Sequence, residues 1–405
     1  MTRGLLWLLL AAAIVRLWLM PLRSSFWVDE MATAFVVERG AADPSFAVAP
    51  QVPDSLYYWL PRASVGLLGR SEAAFRLPSV LAMGFALWLA ALLAARLIHP
   101  EARWFAVFAC LALHGTDYYA VDARPYGLGM AVAAAAMWFL VRWLDGARWR
   151  DGLAFAACAA LLWRVHLLYW PMYLVFGGYT AARAKEKVGW KRAAVVLGLA
   201  ALALIPVAWR AAALARETAA HVFAPLPDWR EFLHLSRWNL VAICGVGAWL
   251  LRRRGSAGSR RDGALPILAW WLAPPVCLFA FSRITGESVF VTRYVSLLLP
   301  GAALSATLAA ACFLPARYWR VGAAALGLGA LVAFGQWGRL WPEHEHSGWR
   351  EAAAAVNQAA GRETPVICPS PFVEARPPAW TPDYRLPGFL YAHLSVYPVA
   401  GQVEL

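Results

Sequence analysis

The chain has 405 residues, of which 61% are hydrophobic and only 15% are charged. Soluble domains carry about 45–50% apolar and about 25% charged residues, so this composition excludes a disordered chain, a disulfide scaffold and an ordinary soluble enzyme. The net charge is +13. Because the basic residues collect in loops between apolar runs, the positive-inside bias of membrane proteins explains this charge better than nucleic-acid binding does.

The apolar runs predict an all-α polytopic membrane protein with about eleven transmembrane helices. The first run extends from Leu5 to Leu22, and the others cover about 77–98, 103–116, 125–144, 152–165, 167–182, 193–210, 239–251, 264–282, 295–314 and 321–338. Basic loops after alternate runs predict a cytoplasmic N-terminus and an outer C-terminus in a bacterial inner membrane. Residues 1–340 are then a membrane domain with an outer loop at 23–76, and 341–405 form a short outer region. This region is expected to hold a helix near Trp349–Ala360 and a strand at Pro365–Cys368.

Two adjacent carboxylates, Asp29 and Glu30, follow the first membrane helix. Acidic residues favour the first turn of a helix, and a helix beginning near Met31 explains one carboxylate better than two. The functional alternative is a general base that removes a proton from an attacking hydroxyl.

The second outer loop contains Asp122-Ala123-Arg124-Pro125-Tyr126. Pro125 suits the first position of the next helix. Arg124 would then lie at the positive end of that helix and form an anion site with the free backbone N–H groups. The structural alternative is an arginine that reaches back to the membrane interface.

Other outer residues are weaker candidates. Arg293-Tyr294 precede a late helix in the same way and offer a second phosphate site. His166 lies at a predicted outer turn, where a lone histidine is more often structural than a substrate contact. The run Glu343-His344-Glu345-His346 resembles a metal cluster, but nothing marks a strand that would bring alternate residues to one face, which favours a solvated segment.

These motifs, in this order and with a common outer placement, resemble those of the GT-C membrane glycosyltransferases. The branch of this superfamily that the chain resembles includes bacterial homologues of protein O-mannosyltransferases, lipid A aminoarabinose transferases and lipopolysaccharide galacturonosyltransferases. The matching pieces are Asp29-Glu30, Leu56-Tyr57-Tyr58, Arg76-Leu77-Pro78-Ser79, Asp122-Ala123-Arg124-Pro125-Tyr126, Arg293-Tyr294 and Trp349-Arg350-Glu351. Relatives often carry His-Pro-Pro before Leu-Tyr-Tyr, where this chain has Pro53, Asp54 and Ser55.

The resemblance implies an inverting transfer of a hexose or pentose from a polyprenyl-phosphate-linked donor to an envelope glycolipid, polysaccharide or protein. Asp29 is then the general base, with Glu30 and Asp122 as further acidic contacts, and Arg124 and Arg293 stabilise the leaving lipid phosphate. Tyr57, Tyr58, Arg76, Tyr126, His166 and Tyr294 are the remaining predicted substrate contacts. Whether Mg²⁺ or Mn²⁺ is needed stays open, since two carboxylates suit such a cation but the arginines already supply positive charge.

Two other classes fit part of the pattern. A polyprenyl-lipid carrier or flippase would use the same anion sites without a base, although such proteins often show inverted repeats and broken helices, which are not seen here. An O-antigen ligase or polymerase also uses lipid-linked sugars, but it lacks an acidic pair directly after the first helix.

Overall fold

The computed structural model describes residues 2–49, 52–218, 224–251, 263–368 and 388–404. One of the basic loops used to predict the orientation, with Arg252, Arg253, Arg254, Arg260 and Arg261, lies outside these residues. The described part is almost entirely helical, which confirms the all-α class.

The helices follow one another with short connections. They are α1 (Arg3–Ile14), α2 (Val28–Arg39), α3 (Trp59–Leu68), α4 (Glu72–Leu97), α5 (Arg103–Leu111), α6 (His114–Ala120), α7 (Tyr126–Gly146), α8 (Trp149–Val165), α9 (Pro171–Arg183), α10 (Trp190–Thr218), α11 (Trp229–Leu235), α12 (Trp238–Leu250), α13 (Ala264–Thr285), α14 (Leu299–Ala311), α15 (Trp319–Phe334), α16 (Trp349–Ala359) and α17 (Ala392–Val396).

All eleven predicted apolar segments coincide with helices. In the described ranges six are long and apolar enough to cross a membrane: Arg3–Arg23, Glu72–Leu97, Tyr126–Gly146, Trp190–Ala212, Ala264–Thr285 and Tyr294–Ala311. Two shorter apolar helices are Trp238–Leu250 and Trp319–Phe334. The structure therefore confirms a polytopic membrane protein, and the count of eleven crossings stays a prediction.

The membrane core is built around α4, α7 and α14. The helix α7 packs against α4 and α8, whereas α14 packs against α5, α12 and α13. Small residues allow close approach at the outer end of this core. A Cβ at Gly127 would lie 3.1 Å from the carbonyl oxygen of Tyr119 and 3.2 Å from that of Ser79. Glycine at this position therefore brings the start of α7 close to α4.

The end of the first membrane segment directs the chain toward the outer loop. After α1 the backbone widens into a π-helical turn over Val15–Leu19 and then tightens into a 3₁₀ turn over Met20–Arg23, which contains Pro21. Such changes of helical pitch are common near functional sites. The next helix, α2, begins at Val28, so its first turn carries Asp29 and Glu30.

A second, smaller core lies in the outer part and joins the first outer loop to the C-terminal region. Phe35 of α2 packs edge to face against Phe389, and the two ring centroids lie 5.8 Å apart. Phe46 also contacts Phe389, with 4.9 Å between the ring centroids. The C-terminal region therefore covers the loop that carries the acidic pair.

The two elements predicted in the C-terminal region are present. The helix α16 spans Trp349–Ala359, and the strand β1 spans Pro365–Ile367. This strand pairs in parallel with β2 (Gln402–Glu404). The division at residue 340 stays a prediction.

Candidate active site

Glu30 and Arg76 form a fully buried ion pair, and both side chains have 0% exposure. Arg76 Nε donates to Glu30 Oε1 at 2.7 Å, and Nη2 donates to Oε2. The backbone N–H groups of Ala123 and Trp27 donate to the same two oxygens at 2.8 and 3.3 Å. Burial alone would raise the pKa of Glu30, but the Arg76 guanidinium outweighs it and lowers that pKa. Each Glu30 oxygen thus already accepts two hydrogen bonds.

The other guanidinium N–H groups of Arg76 are also used inside the protein. Nη1 donates to the carbonyl oxygens of Leu22 and Ser24 at 3.0 and 2.7 Å, and Nη2 donates to that of Ser25 at 3.1 Å. Arg76 therefore fixes the chain between the first membrane helix and α2. This geometry does not support the predicted contact of Arg76 with a substrate, and it assigns Glu30 to the same scaffold.

Asp29 lies one residue earlier in α2 but has a different environment. Arg293 Nη1 lies 3.1 Å from Asp29 Oδ2, and the exposures of the two side chains are 42% and 20%. The contact is not aligned as a hydrogen bond, since Oδ2 has no hydrogen-bond partner among the described residues. A second guanidinium is close, because Arg124 Nη1 donates to the Asp29 backbone oxygen at 3.2 Å. Asp29 therefore combines a free carboxylate oxygen with two neighbouring cations.

The second outer loop holds Arg124 immediately before α7, as the sequence predicts. Ser79 of α4 donates to the Arg124 carbonyl oxygen at 3.3 Å, and Arg124 N donates to the Asp122 carbonyl oxygen at 2.7 Å. Tyr57 is buried, and its hydroxyl lies 2.9 Å from that of Ser79. Tyr57 therefore supports the second outer loop through Ser79. Arg124 Nε is a buried donor without a partner among the described residues.

An aromatic cluster forms another side of the site. His166 lies between the rings of Tyr126 and Tyr294, with centroid distances of 5.9 and 5.2 Å. The predicted turn is confirmed, because α8 ends at Val165 and His166 follows it, and its outer placement stays a prediction. Burial, together with the charges of Arg124 and Arg293, lowers the pKa of His166 from 6.5 to about 3.

The His166 ring is therefore neutral at pH 7. The backbone N–H of Leu168 donates to its Nδ1 at 3.2 Å, so Nε2 carries the proton. His166 can thus contact a substrate as a neutral hydrogen-bond donor.

Asp122 faces residues that the sequence analysis does not include in the site. Trp27 Nε1 donates to Asp122 Oδ1 at 3.1 Å. His344 Nε2 lies 3.8 Å from the same oxygen, and the side chains of Asp122 and His344 are both 1% exposed. The prediction of a solvated Glu-His-Glu-His segment is correct for the exposed His346 and wrong for His344, which packs on Tyr118 with 4.4 Å between the ring centroids. The run Glu343-His344-Glu345-His346 is visible in the sequence, but only the fold shows which of its two histidines is buried beside Asp122.

A divalent cation fits this cluster poorly. Ligand atoms of Glu30, Asp122 and His344 lie within 4.8 Å of one another. Both oxygens of Glu30 are already saturated by donors, so only Asp122 Oδ2 and His344 Nε2 remain unpartnered among the described residues. Mg²⁺ prefers near-octahedral oxygen coordination. The neighbouring guanidinium of Arg76 already balances the charge of Glu30.

Most of the predicted site residues converge at one end of the bundle, which the sequence predicts to face outward. Those that face a common region around Asp29 and Arg124 are Tyr58, Asp122, Tyr126, His166, Arg293 and Tyr294. Glu30, Tyr57 and Arg76 lie behind them as support. In this arrangement the Asp29 carboxylate can accept a proton, and the guanidinium groups of Arg124 and Arg293 can stabilise a negative charge. Such a site suits a reaction that releases an anion.

Comparisons with known proteins concern the family and the fold of the chain. Residues 52–209 match the family model described as dolichyl-phosphate-mannose-protein mannosyltransferase. No curated protein sequence matches the chain significantly.

The fold is similar to that of two crystal structures of ArnT from Cupriavidus metallidurans. The apo structure has a TM-score of 0.58 and 15% identity, and the match covers 90% of this chain and 82% of that one. The structure bound to undecaprenyl phosphate has a TM-score of 0.63 and 14% identity, covering 99% of this chain and 86% of that one. The chain therefore shares the polytopic membrane fold of these two structures, and its residues 52–209 resemble the mannosyltransferase family.

Proposed function

We propose that the chain transfers a sugar, with inversion, from a polyprenyl-phosphate-linked donor to a hydroxyl of an envelope glycolipid, polysaccharide or protein. The reaction takes place on the outer face of the cytoplasmic membrane. The observation that carries this proposal is the Asp29 carboxylate, with a free oxygen, beside Arg293 and Arg124. The bound undecaprenyl phosphate of the structurally similar ArnT supports the class of lipid.

The chemistry follows from these positions. The acceptor hydroxyl oxygen attacks the anomeric carbon, and its proton passes to Asp29. The bond between that carbon and the phosphate oxygen breaks, and its electron pair leaves on the lipid phosphate. Arg293 and Arg124 stabilise the negative charge that develops there, because a cation is worth more in a site from which water is largely excluded.

The remaining residues orient the two substrates. Tyr58, Tyr126, His166 and Tyr294 surround the arginines and offer ring faces and neutral donors to the sugar. Asp122, whose carboxylate lies near that of Glu30 and near the ring of His344, contacts the acceptor. In this proposal residues 1–340 form the membrane part that holds both substrates, and residues 341–405 cover the first outer loop.

The experiment compares the envelopes of cells that lack the gene with cells that carry the wild type, Asp29→Asn or Glu38→Gln. Mass spectrometry of glycolipids, polysaccharides and polyprenyl-phosphate sugars would identify the transferred sugar as a lost hexose- or pentose-sized increment. We expect Asp29→Asn to lower transfer by about 10²–10⁴, the usual contribution of a general base. Glu38 is the control, since its carboxylate is on the same helix but pairs with Arg70 at the surface. Normal transfer by Asp29→Asn, at wild-type abundance, would contradict the proposal.

A further inference from the structure

His344 belongs to the segment that follows the short apolar helix α15, and the fold holds this segment firmly against the site. Arg16 of the first membrane segment donates to four of its backbone oxygens. These are the carbonyls of Gly335, Gln336, Arg339 and Leu340, at 2.7, 3.0, 2.7 and 2.8 Å. Arg16 therefore connects the first membrane segment to the chain that leads to His344.

The residues around His344 are anchored as well. His344 N donates to Ser24 Oγ at 3.1 Å, and Tyr118 Oη donates to Glu345 Oε1 at 2.7 Å. Tyr118 also packs on the His344 ring. Because the backbone and the ring of His344 and the side chain of Glu345 are all held by contacts, the His344 imidazole has little freedom to turn away from Asp122.

Asp122 and His344 each have one side-chain atom that could still form a hydrogen bond. Asp122 Oδ2 and His344 Nε2 have no hydrogen-bond partner among the described residues, and both side chains are 1% exposed. Leaving a buried polar group without a partner is costly, so such groups in a folded protein call for a specific explanation. The separation of 3.8 Å between Nε2 and Oδ1 is longer than a hydrogen bond, and contacts of this kind often tighten once the substrate is bound.

We propose that His344 is a positioning residue for Asp122. Its Nε2–H approaches Asp122 Oδ1, which also accepts from Trp27 Nε1, so that two donors hold this oxygen and Oδ2 stays free to accept a hydrogen bond from the acceptor hydroxyl. This inference rests on the proposed function, because it concerns how that site orients its acceptor. His344 itself does not touch the reacting atoms.

The test uses His344→Phe, His344→Gln and the matched control His346→Phe. Phenylalanine keeps a ring against Tyr118 but removes the donor, whereas glutamine replaces the donor with an amide N–H. His346 lies two residues further along and its side chain is 65% exposed. Each variant is expressed in cells that lack the gene, and the fraction of modified envelope acceptor is measured at equal protein abundance. Purified protein is then tested for thermal unfolding, undecaprenyl phosphate binding and metal content.

We expect His344→Phe to lower transfer roughly tenfold or more, the usual effect of losing a hydrogen bond to a charged group. Undecaprenyl phosphate binding and the unfolding temperature should stay near wild-type values, and His344→Gln should restore most of the transfer. A merely structural role would lower the unfolding temperature in parallel with transfer and would not show rescue by the amide.

Several results would overturn the inference. Normal transfer by His344→Phe, or equal loss in the glutamine variant, would exclude a role for the donor. Stoichiometric Zn²⁺ or Mn²⁺ that disappears in both His344 variants would replace the positioning role with a metal site. The proposed function fails separately, through normal transfer by Asp29→Asn or an unchanged envelope in cells without the gene.

Discussion

Two neighbouring carboxylates of α2 each face an arginine, and the two pairs differ in almost every physical respect. The Glu30–Arg76 pair is fully buried and bonded through both carboxylate oxygens. The Asp29–Arg293 pair is partly exposed, and its contact at 3.1 Å is not aligned as a hydrogen bond. Adjacent residues therefore form two different ion pairs. Both oxygens of Glu30 are hydrogen-bonded to Arg76, whereas Asp29 and Arg293 form a pair without an aligned hydrogen bond, called the open pair below.

The difference shows how a single helix turn can serve both stability and chemistry. A buried ion pair whose partners are all present is strongly disturbed when one partner is removed, because the other charge stays buried without compensation. A partly exposed pair is more strongly screened than a buried one, so an incoming phosphate can draw Arg293 away from Asp29 at a smaller cost than Arg76 from Glu30. The first pair suits a scaffold, and the second suits a site that exchanges partners during a reaction.

The largest effect in this comparison is expected from breaking the buried pair. Arg76→Met and Glu30→Gln should each destabilise the fold by about 3–5 kcal/mol, the usual cost of leaving a buried charge or its partner groups unpaired. Thermal unfolding of the purified protein in one detergent, with yield as a second readout, measures this change. Asp29→Asn is the matched control from the adjacent position and should unfold near the wild-type temperature. Equal unfolding temperatures for Arg76→Met and Asp29→Asn would show that the two pairs do not differ as the geometry indicates.

A smaller effect, on binding rather than folding, is expected at the open pair. Arg293→Gln should weaken undecaprenyl phosphate binding roughly tenfold or more, since hydrogen bonds to charged groups contribute about 1.5–3 kcal/mol. Stability should hardly change, because the pair is partly exposed. Arg283→Gln is the control, since this exposed arginine lies ten residues earlier near the end of α13. Binding that weakens equally in both variants would point to a general loss of positive charge.

Much of this comparison was accessible from the sequence. The apolar runs predict every long helix, because a helix that crosses the bilayer needs about 20 mostly apolar residues. The acidic pair Asp29-Glu30 marks the start of α2. A helix cap explains one carboxylate better than two, and Glu30 is the one that accepts from the Trp27 backbone N–H. The basic residues Arg124 and Arg293 were placed at the site by their positions before two helices.

The sequence could not distinguish the residues that hold the site from those that face it. Arg76 and Arg293 are both arginines in outer segments, and only the fold shows that Arg76 is enclosed by carbonyl oxygens. His344 was missed because its neighbour His346 is solvent-exposed and the local pattern treats them alike. Partners more than two hundred residues apart, such as Asp122 and His344, depend on packing that periodicity does not encode.

The most gradual effect concerns His166, which lies close to the Asp29–Arg293 pair, and it appears as a pH dependence of stability. The pKa of His166 is about 3 in the folded protein and about 6.5 in an unfolded chain. Between these values the unfolded state binds a proton that the folded state does not, so the free energy of unfolding rises with pH. The contribution of His166 is fully present above pH 6.5 and is lost as the pH falls toward 3.

The His166→Gln variant isolates this contribution, because its amide cannot be protonated in this range. Relative to wild type, the variant should gain up to about 2 kcal/mol of stability between pH 7 and pH 5, from 1.36 kcal/mol for each pH unit below the unfolded pKa. Thermal unfolding of both proteins at a series of pH values in one detergent measures the difference directly. His234→Gln, at an exposed histidine of α11, should run parallel to wild type. A constant gap between His166→Gln and wild type would mean that the ring is equally free to bind a proton in both states, and that Arg124 and Arg293 do not concentrate positive charge beside it.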